Sequence, residues 1–429
     1  MNAQYLQINQ CGRGLMRLGR RLALALVLTL GLTTGAPAAD DLLGAFTEGD
    51  LNGQVKTFFM RTNLASFDRP EAMAIGGKLH YETSPLYGIN AGATFFTSNG
   101  LIFHDPNDYT NLLAPGQNNY NVLGEAYLQG VFKNTGVKLF RQAMDTPFIN
   151  QDEIRMTPRT FEAYTLTNKD IPNSQVTVSQ VTKMKFYNET TFKDMSLLPN
   201  TEEPVTMAGI VSSPLPDLKI QLWDYFAHQF MSITYLQADY NYKLNEIWTL
   251  VGGAQYGDER DVGRAIWGAI QTRMYGLKAG VKAYGAELTF AFTSNDDAHP
   301  FVNLWGTYPG FNSIIVNDGN LAGEDSWSVT LGYDFSTIGL PGLTALGAFA
   351  DYRNQDRGRW AAPDSTETDL TLEYKFDGMF KGLGVMLQGI SITQDDKLGG
   401  EDYTDFRAIM YYDFKIFEGG KYVFGKHKE

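Results

Sequence analysis

Six charged side chains, Asp145, Asp152, Glu153, Arg155, Arg159 and Glu162, crowd into the stretch Met144–Tyr164. Pro147, Pro158 and several turn-forming residues share it, so the stretch cannot be the middle of a helix or of a central strand. Its flanks alternate like strands, which makes it an ordered loop between two ribbons. Mixed charge on irregular backbone suits one kind of chemistry. Acids and bases on facing walls of a narrow aqueous passage set up a transverse field that orients a zwitterion or a carboxylate, whereas neutral walls sieve by size alone. The plainer reading is that each charge is solvated or paired with a neighbour, as on any wet surface.

Other chemistries find little support. The five histidines, His80, His104, His228, His299 and His427, are scattered without HExxH or any other ligand spacing. There is no G-x-S-x-G elbow and no P-loop, so no enzymatic activity, metal or cofactor is expected. Acid clusters occur at Asp296-Asp297, at Asp318 with Glu324-Asp325, and at Asp395-Asp396 with Glu401-Asp402. The Asp318 region departs from the spacing of a calcium loop. These clusters read as solvated loop tips, placed to meet cation-bridged lipopolysaccharide.

The elements around the charged loop alternate with period two, the mark of strands. Ser326 to Phe335 sets Trp327, Val329, Leu331, Tyr333 and Phe335 against polar neighbours; Asp369 to Phe376, Tyr275 to Ala283 and Met73 to Tyr81 repeat the pattern. Short turns at Ser84-Pro85-Leu86, Lys133 to Gly136, Ser213 to Asp217, Ile338 to Gly342 and Gly378 to Gly382 take turns with long connections. The long ones are Ser98 to Tyr120, Met144 to Pro158, Asn295 to Asp325, Asn354 to Thr366 and Gln394 to Asp402. Short connections at one end and long at the other are the asymmetry of an outer-membrane barrel. About eighteen such segments can be counted, and a ring of that size encloses an aqueous channel.

Composition agrees. The 429 residues carry 27 Phe, 23 Tyr and 44 Gly, but only one apolar run, Leu22 to Leu32. That run is too short to span a bilayer. Preceded by Arg13, Arg17, Arg20 and Arg21 and followed by Ala36-Pro37-Ala38, it reads as a secretory signal over residues 1–38, with an uncleaved anchor as the alternative and Met16 as a possible start. Cys11, the sole cysteine, falls within it, so disulfide chemistry is not expected of the mature chain. Removing four arginines makes a formal net charge of −13 more negative still, which argues against nucleic acid as partner.

Asp145-Thr146-Pro147-Phe148-Ile149-Asn150, then Asp152, Arg155-Met156, Pro158 and Thr160-Phe161-Glu162, resemble the signature of the OprD-type outer-membrane porins. The resemblance implies an all-β fold, a transmembrane antiparallel up-and-down β-barrel over residues 39–417, whose third extracellular loop folds into the lumen as a constriction. It also implies lumenal arginines that guide anionic groups past acids. Arg155 and Asp152 match in the loop, and Arg407 matches in the final strand. Strand alternation adds Arg141, Lys278, Lys282, Arg353 and Lys375 as candidate pore-lining bases. The expected function is diffusion of small hydrophilic solutes, with carboxylates or amino acids favoured, across the outer membrane of a Gram-negative bacterium. Outer-membrane lipid and lipopolysaccharide are the expected partners, and the assembly a monomer or loose trimer. The alternative is a surface or adhesion barrel with an occluded lumen. In one respect the chain departs from the pattern: residues 418–429 follow the strand-ending Phe417 and bring a second aromatic pair, Tyr422 and Phe424.

Overall fold

The computed structural model describes residues 39–64, 70–104 and 110–424. The expected signal lies outside the described residues. A short helix α1 (Leu42–Thr47) leads into β1 (Asp50–Leu64), β2 (Glu71–Glu82), β3 (Ile89–His104), β4 (Tyr120–Phe132), β5 (Thr135–Gln142), β6 (Thr160–Asn168) and β7 (Ser174–Lys185). There follow β8 (Lys193–Asp194), β9 (Val205–Leu215), β10 (Leu218–Ala227), β11 (Met231–Lys243), β12 (Thr249–Asp261), β13 (Gln271–Ala283) and β14 (Ala286–Asn295). The wall ends with β15 (Asp325–Asp334), β16 (Leu343–Arg353), β17 (Ser365–Lys375), β18 (Leu383–Gln394) and β19 (Tyr403–Glu418), trailed by β20 (Lys421–Tyr422).

The two-residue strands β8 and β20 are appendages of β7 and β19. The other eighteen pair antiparallel with their neighbours, and β1 pairs with β19, so the sheet closes on itself. Closure leaves no free edge, as a bilayer requires. Side-chain alternation decides which face meets lipid. On β15, Trp327, Val329 and Leu331 are 37%, 36% and 50% exposed while Ser326 and Ser328 on the other face are buried. The inner pair meets a long loop that lies inside the ring, Ser328 donating to Asn312 Oδ1.

Short connections do gather at one end. Two-residue turns join β4 to β5 and β13 to β14; in the second, Tyr284 and Gly285 both take positive φ, the geometry that matches strand twist. The other end carries the long loops with two exceptions, since only His228-Gln229-Phe230 separates β10 from β11 and six residues separate β1 from β2. β3 runs on to His104, beyond the strand end expected at Ser98.

The bore is not evenly open. Residues 143–159 and 296–324 both turn inward, and Phe148, Ile149, Phe301, Trp305 and Tyr308 bury themselves against Phe161, Tyr225, Tyr235 and Met274 of the wall. Phe148 alone packs four rings, Tyr225, Tyr235, Phe301 and Tyr308, at centroid distances of 5.5–6.0 Å. Burying a phenylalanine is worth about 2–3 kcal/mol, and each well-placed ring pair adds about 0.5–1.5 kcal/mol. This core sits against the arc from β6 to β13, whereas Gln54 of β1, Gln388 of β18 and Arg407 of β19 line a cavity.

Candidate functional site

The charged loop is held at both ends. A tight turn, with Thr146 N–H donating to Ile149 O at 3.0 Å, presents Phe148 to the core. Eight residues further on, Met156 enters a second apolar cluster with Phe58 and Met60 of β1, Ala72 and Ala74 of β2, and Leu112 and Leu113. The segment between these anchors carries Asp152, Glu153 and Arg155. Asp152 adopts φ 45°, a left-handed conformation that aspartate tolerates better than most residues and that an over-determined site can hold.

Irregular backbone leaves carbonyl oxygens without ladder partners, and buried ones must be satisfied. Two lysines do this. Lys56 of β1 donates to Arg155 O at 3.0 Å. Lys185, fully buried at the end of β7, donates to Pro158 O at 2.9 Å, Phe186 O at 2.7 Å and Thr157 Oγ1 at 3.4 Å.

Asp152 and Arg159 form an ion pair at 2.9 Å whose side chains are only 6% and 12% exposed. The second inward loop braces it: Thr307 Oγ1 donates to Asp152 Oδ1 at 2.8 Å, and Arg159 donates to Leu304 O at 3.2 Å. Arg155 is arranged otherwise. Its Nε donates to Thr110 O at 2.7 Å and Nη1 to Ile154 O at 3.0 Å, with Tyr187 beneath the guanidinium. Among the described residues no carboxylate stands within ion-pair distance of Arg155 or Lys56. Burial and the nearby Arg407 draw the Arg155 guanidinium below the ordinary arginine range, which still leaves it cationic.

These groups face a cavity of about 580 Å³. Gln54, Lys56 and Phe58 of β1, Gln388 of β18, and Arg407, Ile409 and Tyr411 of β19 form the wall side. Asp152, Glu153, Arg155 and Arg159 line the loop side, and Ile314, Ile315, Val316 and Asp318 close it from the second loop. That second loop is pinned by carboxylates of β17: Asp369 accepts from Ile315 N–H at 3.1 Å, and Glu367 from Val316 and Asn317 N–H at 2.8 Å each.

The cavity thus brings together Asp152, Glu153, Arg155, Arg159 and Arg407 of the candidates. Arg407 is itself paired, its Nη2 lying 2.8 Å from the fully buried Asp405 carboxylate. The remaining candidates stand elsewhere. Asp145 is exposed in the tight turn, and Glu162 accepts from Thr182. Arg141 donates to Leu123 O and stacks on Phe192. Lys278 pairs with Asp239 at 3.0 Å, Lys282 with Glu287 at 3.0 Å and Lys375 with Glu373 at 3.4 Å.

Two expectations need correction. Arg353 was expected in the lumen, but Asp351 lies opposite Trp327, and Phe349 opposite Val329, in the register of β15 and β16. Arg353 therefore shares the outward face, where it pairs with Asp351 at 2.6 Å and Asp364 at 3.2 Å. The Asp318 to Glu324 acids were expected at a solvated tip. Instead Asp318 lines the cavity, and Glu324 is 2% exposed. Burial pushes the Glu324 carboxyl up to about 7, with Asp318 and Asp325 adding to the effect. Among the described residues no group of three or more His, Cys, Asp or Glu could hold a metal.

Several residues escaped sequence reasoning: Lys56, Lys185, Thr307, Asp405 and the Ile314–Asn317 strap. Asp405 carried a signal, since it lies two residues from Arg407 on one strand. Lys56 shares its face with Phe58 and Met60, which hides it from a search for polar inner faces.

Among curated proteins none matches the chain significantly. Solved structures do. OccK9 (OpdG) of Pseudomonas aeruginosa superposes with a TM-score of 0.79 at 20% identity, covering 87% of this chain and 100% of its own. OccAB3 of Acinetobacter baumannii gives 0.79 at 15% identity, with 86% and 99% covered. OpdK of P. aeruginosa, solved with vanillate, gives 0.76 at 17%, again with 86% and 99% covered. At such identities the likeness concerns the fold alone. The sequence model described as outer membrane porin, OprD family, matches residues 116–416, so the chain belongs to the OprD family of outer membrane porins.

Proposed function

We propose that the cavity between β1, β19 and the two inward loops is the selective segment of the pore, and that it favours small carboxylates, amino acids among them. One observation carries the reading: Lys56 and Arg155 reach this space with no carboxylate in ion-pair range among the described residues, while the acids opposite are held by Arg159, Thr307 and Lys78. An anionic group gains most where cations are not already neutralised. The apolar strap Ile314, Ile315 and Val316 offers the hydrocarbon part of such a solute a dry contact. OpdK was solved with vanillate, an aromatic carboxylate, which is compatible with this class. In this reading each barrel conducts by itself, whether as a monomer or in a loose trimer.

Planar-bilayer recording tests the idea. Benzoate added to one side should reduce the ion current more than benzamide at equal concentration, and Arg155→Gln should remove the difference. Equal effects of acid and amide on the unaltered protein would reject the carboxylate reading. The apolar core filling the β6–β13 side favours one competing view, a surface barrel with an occluded lumen. Liposome swelling decides between them, since an occluded barrel admits neither sugar nor amino acid.

A further inference from the structure

The aromatic pair beyond Phe417 has no part in the pore, yet the chain builds it into the outer surface. β19 turns back through Gly419 and Gly420, both at positive φ, so that Tyr422 stacks edge-on against Phe417 at 5.9 Å and Phe424 against Phe414 at 6.1 Å. Phe414 faces lipid, because it lies opposite Gly53, which in turn lies opposite the exposed Leu79. The first described residues arrive at the same place. Tyr81, two residues from Leu79 on the outward face, donates from its hydroxyl to Phe46 O of α1 at 2.5 Å, and Ser84 N–H donates to Ala45 O at 2.9 Å. Gly420 N–H donates to Gly49 O at 3.1 Å and Gly419 N–H to Asp50 Oδ1 at 2.6 Å, joining the two ends across the seam where β1 meets β19.

What the joined ends expose is apolar. Leu42, Leu43 and Phe46 are 66%, 70% and 56% exposed, and Tyr422 and Phe424 stand beside them at 52% and 44%. Turning by about 100° per residue, a helix places Leu42, Leu43 and Phe46 within roughly one third of its circumference, with Asp41 capping its start and Glu48 on the far side. This patch continues the lipid-facing wall at the short-turn, periplasmic end. Aromatic and aliphatic groups at that height belong in the boundary between headgroups and acyl chains.

We propose that α1 and the β19–β20 turn form a clasp over the barrel seam, embedded in the periplasmic leaflet and held there by phospholipid. Single cysteines test it in the purified full chain carrying Cys11→Ser, since Cys11 is the only cysteine of the sequence. Leu43→Cys, Phe46→Cys and Phe424→Cys carry a spin label in phospholipid vesicles holding no other protein, with Leu79→Cys as the wall reference and Lys381→Cys as the turn reference. Expected is relaxation by oxygen over a water-soluble nickel chelate at all three sites, as at Leu79→Cys. Nickel-dominated relaxation, as at Lys381→Cys, overturns the proposal, and is what a patch reserved for a periplasmic protein would give. As a second readout, Leu42→Ser with Leu43→Ser and Phe46→Ser should unfold several-fold faster on heating in vesicles; an unchanged rate would also overturn it.

Discussion

Arg155 is the residue whose removal should change ion preference most cleanly. Its guanidinium faces the cavity, is satisfied by two backbone carbonyls rather than by a carboxylate, and leaves no buried acid behind when replaced. Arg155→Gln therefore subtracts a full positive charge from the passage. For an ion passing about 6 Å away through water-like surroundings at moderate salt, one unit charge is worth roughly 0.5 kcal/mol. The sign is opposite for cations and anions, so the difference between them changes by about 1 kcal/mol, or about fivefold in the permeability ratio. Reversal potential in a potassium chloride gradient reads this directly. The variant should turn towards cations, and the change should shrink as salt is raised, because screening shortens the reach of the charge. An unchanged reversal potential at low salt would refute the argument, since it would mean that ions do not pass near Arg155. Lys56→Met, which also frees the Arg155 carbonyl, should give the same direction with noisier current as the loop loosens.

Phe148→Ala removes the ring that four aromatic neighbours surround; a local cost of about 3–5 kcal/mol should appear as faster hydrogen exchange over residues 143–159 and as flickering conductance. Asp152→Ala strips Arg159 of the only ion pair it makes among the described residues, in a poorly solvated place, which costs about 3–5 kcal/mol when one partner is left alone. Adding Arg159→Met should restore part of that loss, as a double-mutant cycle on protease resistance of the loop would measure. Glu324 binds its proton more firmly in the folded state than an ordinary carboxyl does. The folded loop thus loses stability as pH rises from about 4.5 towards 7, by up to about 3 kcal/mol. Exchange rates over residues 296–324 should rise through that interval, and Glu324→Gln should flatten the profile. Replacing Lys185 by Met leaves the Pro158 and Phe186 carbonyls unpaired in a dry site and should lower the heat-unfolding midpoint without changing ion preference.

Much of the barrel was legible because period two is a local signal: Trp327, Val329 and Leu331 announce their face without reference to anything distant. Arg353 shows where that signal fails. It was assigned to the lumen because lumenal faces are polar, yet the outward face becomes polar too once a strand rises past the hydrocarbon, as Asp351 and Arg353 do at the end of β16. The turn at Tyr284-Gly285 went unread because tyrosine is no turn former; the strands on either side force its positive φ. The inward course of residues 296–324 was harder still. Phe301, Trp305 and Tyr308 recur at irregular spacing within a polar segment, and only the wall they meet, with Tyr225 and Tyr235, reveals them as core. Glu324 followed the same loop inward and so lost the solvent that an acid at a loop tip would keep.

The same reasoning explains why the lysines that matter at the site are not the ones alternation selects. Lys278, Lys282 and Lys375 stand on regular ladders with an acid within reach, and their charge is spent locally. Lys56 and Lys185 instead meet the charged loop where its backbone makes no ladder, and a flexible stem ending in three donors suits carbonyls that point in unrelated directions. Phe148 and Met156 fix the loop's two ends, and the Asp152–Arg159 pair ties its middle to the second loop through Thr307. With the position of Arg155 thus decided from several sides, its charge is offered at a fixed place. A pore that selects by field needs this, because a cation free to swing would follow the passing solute and blur the preference.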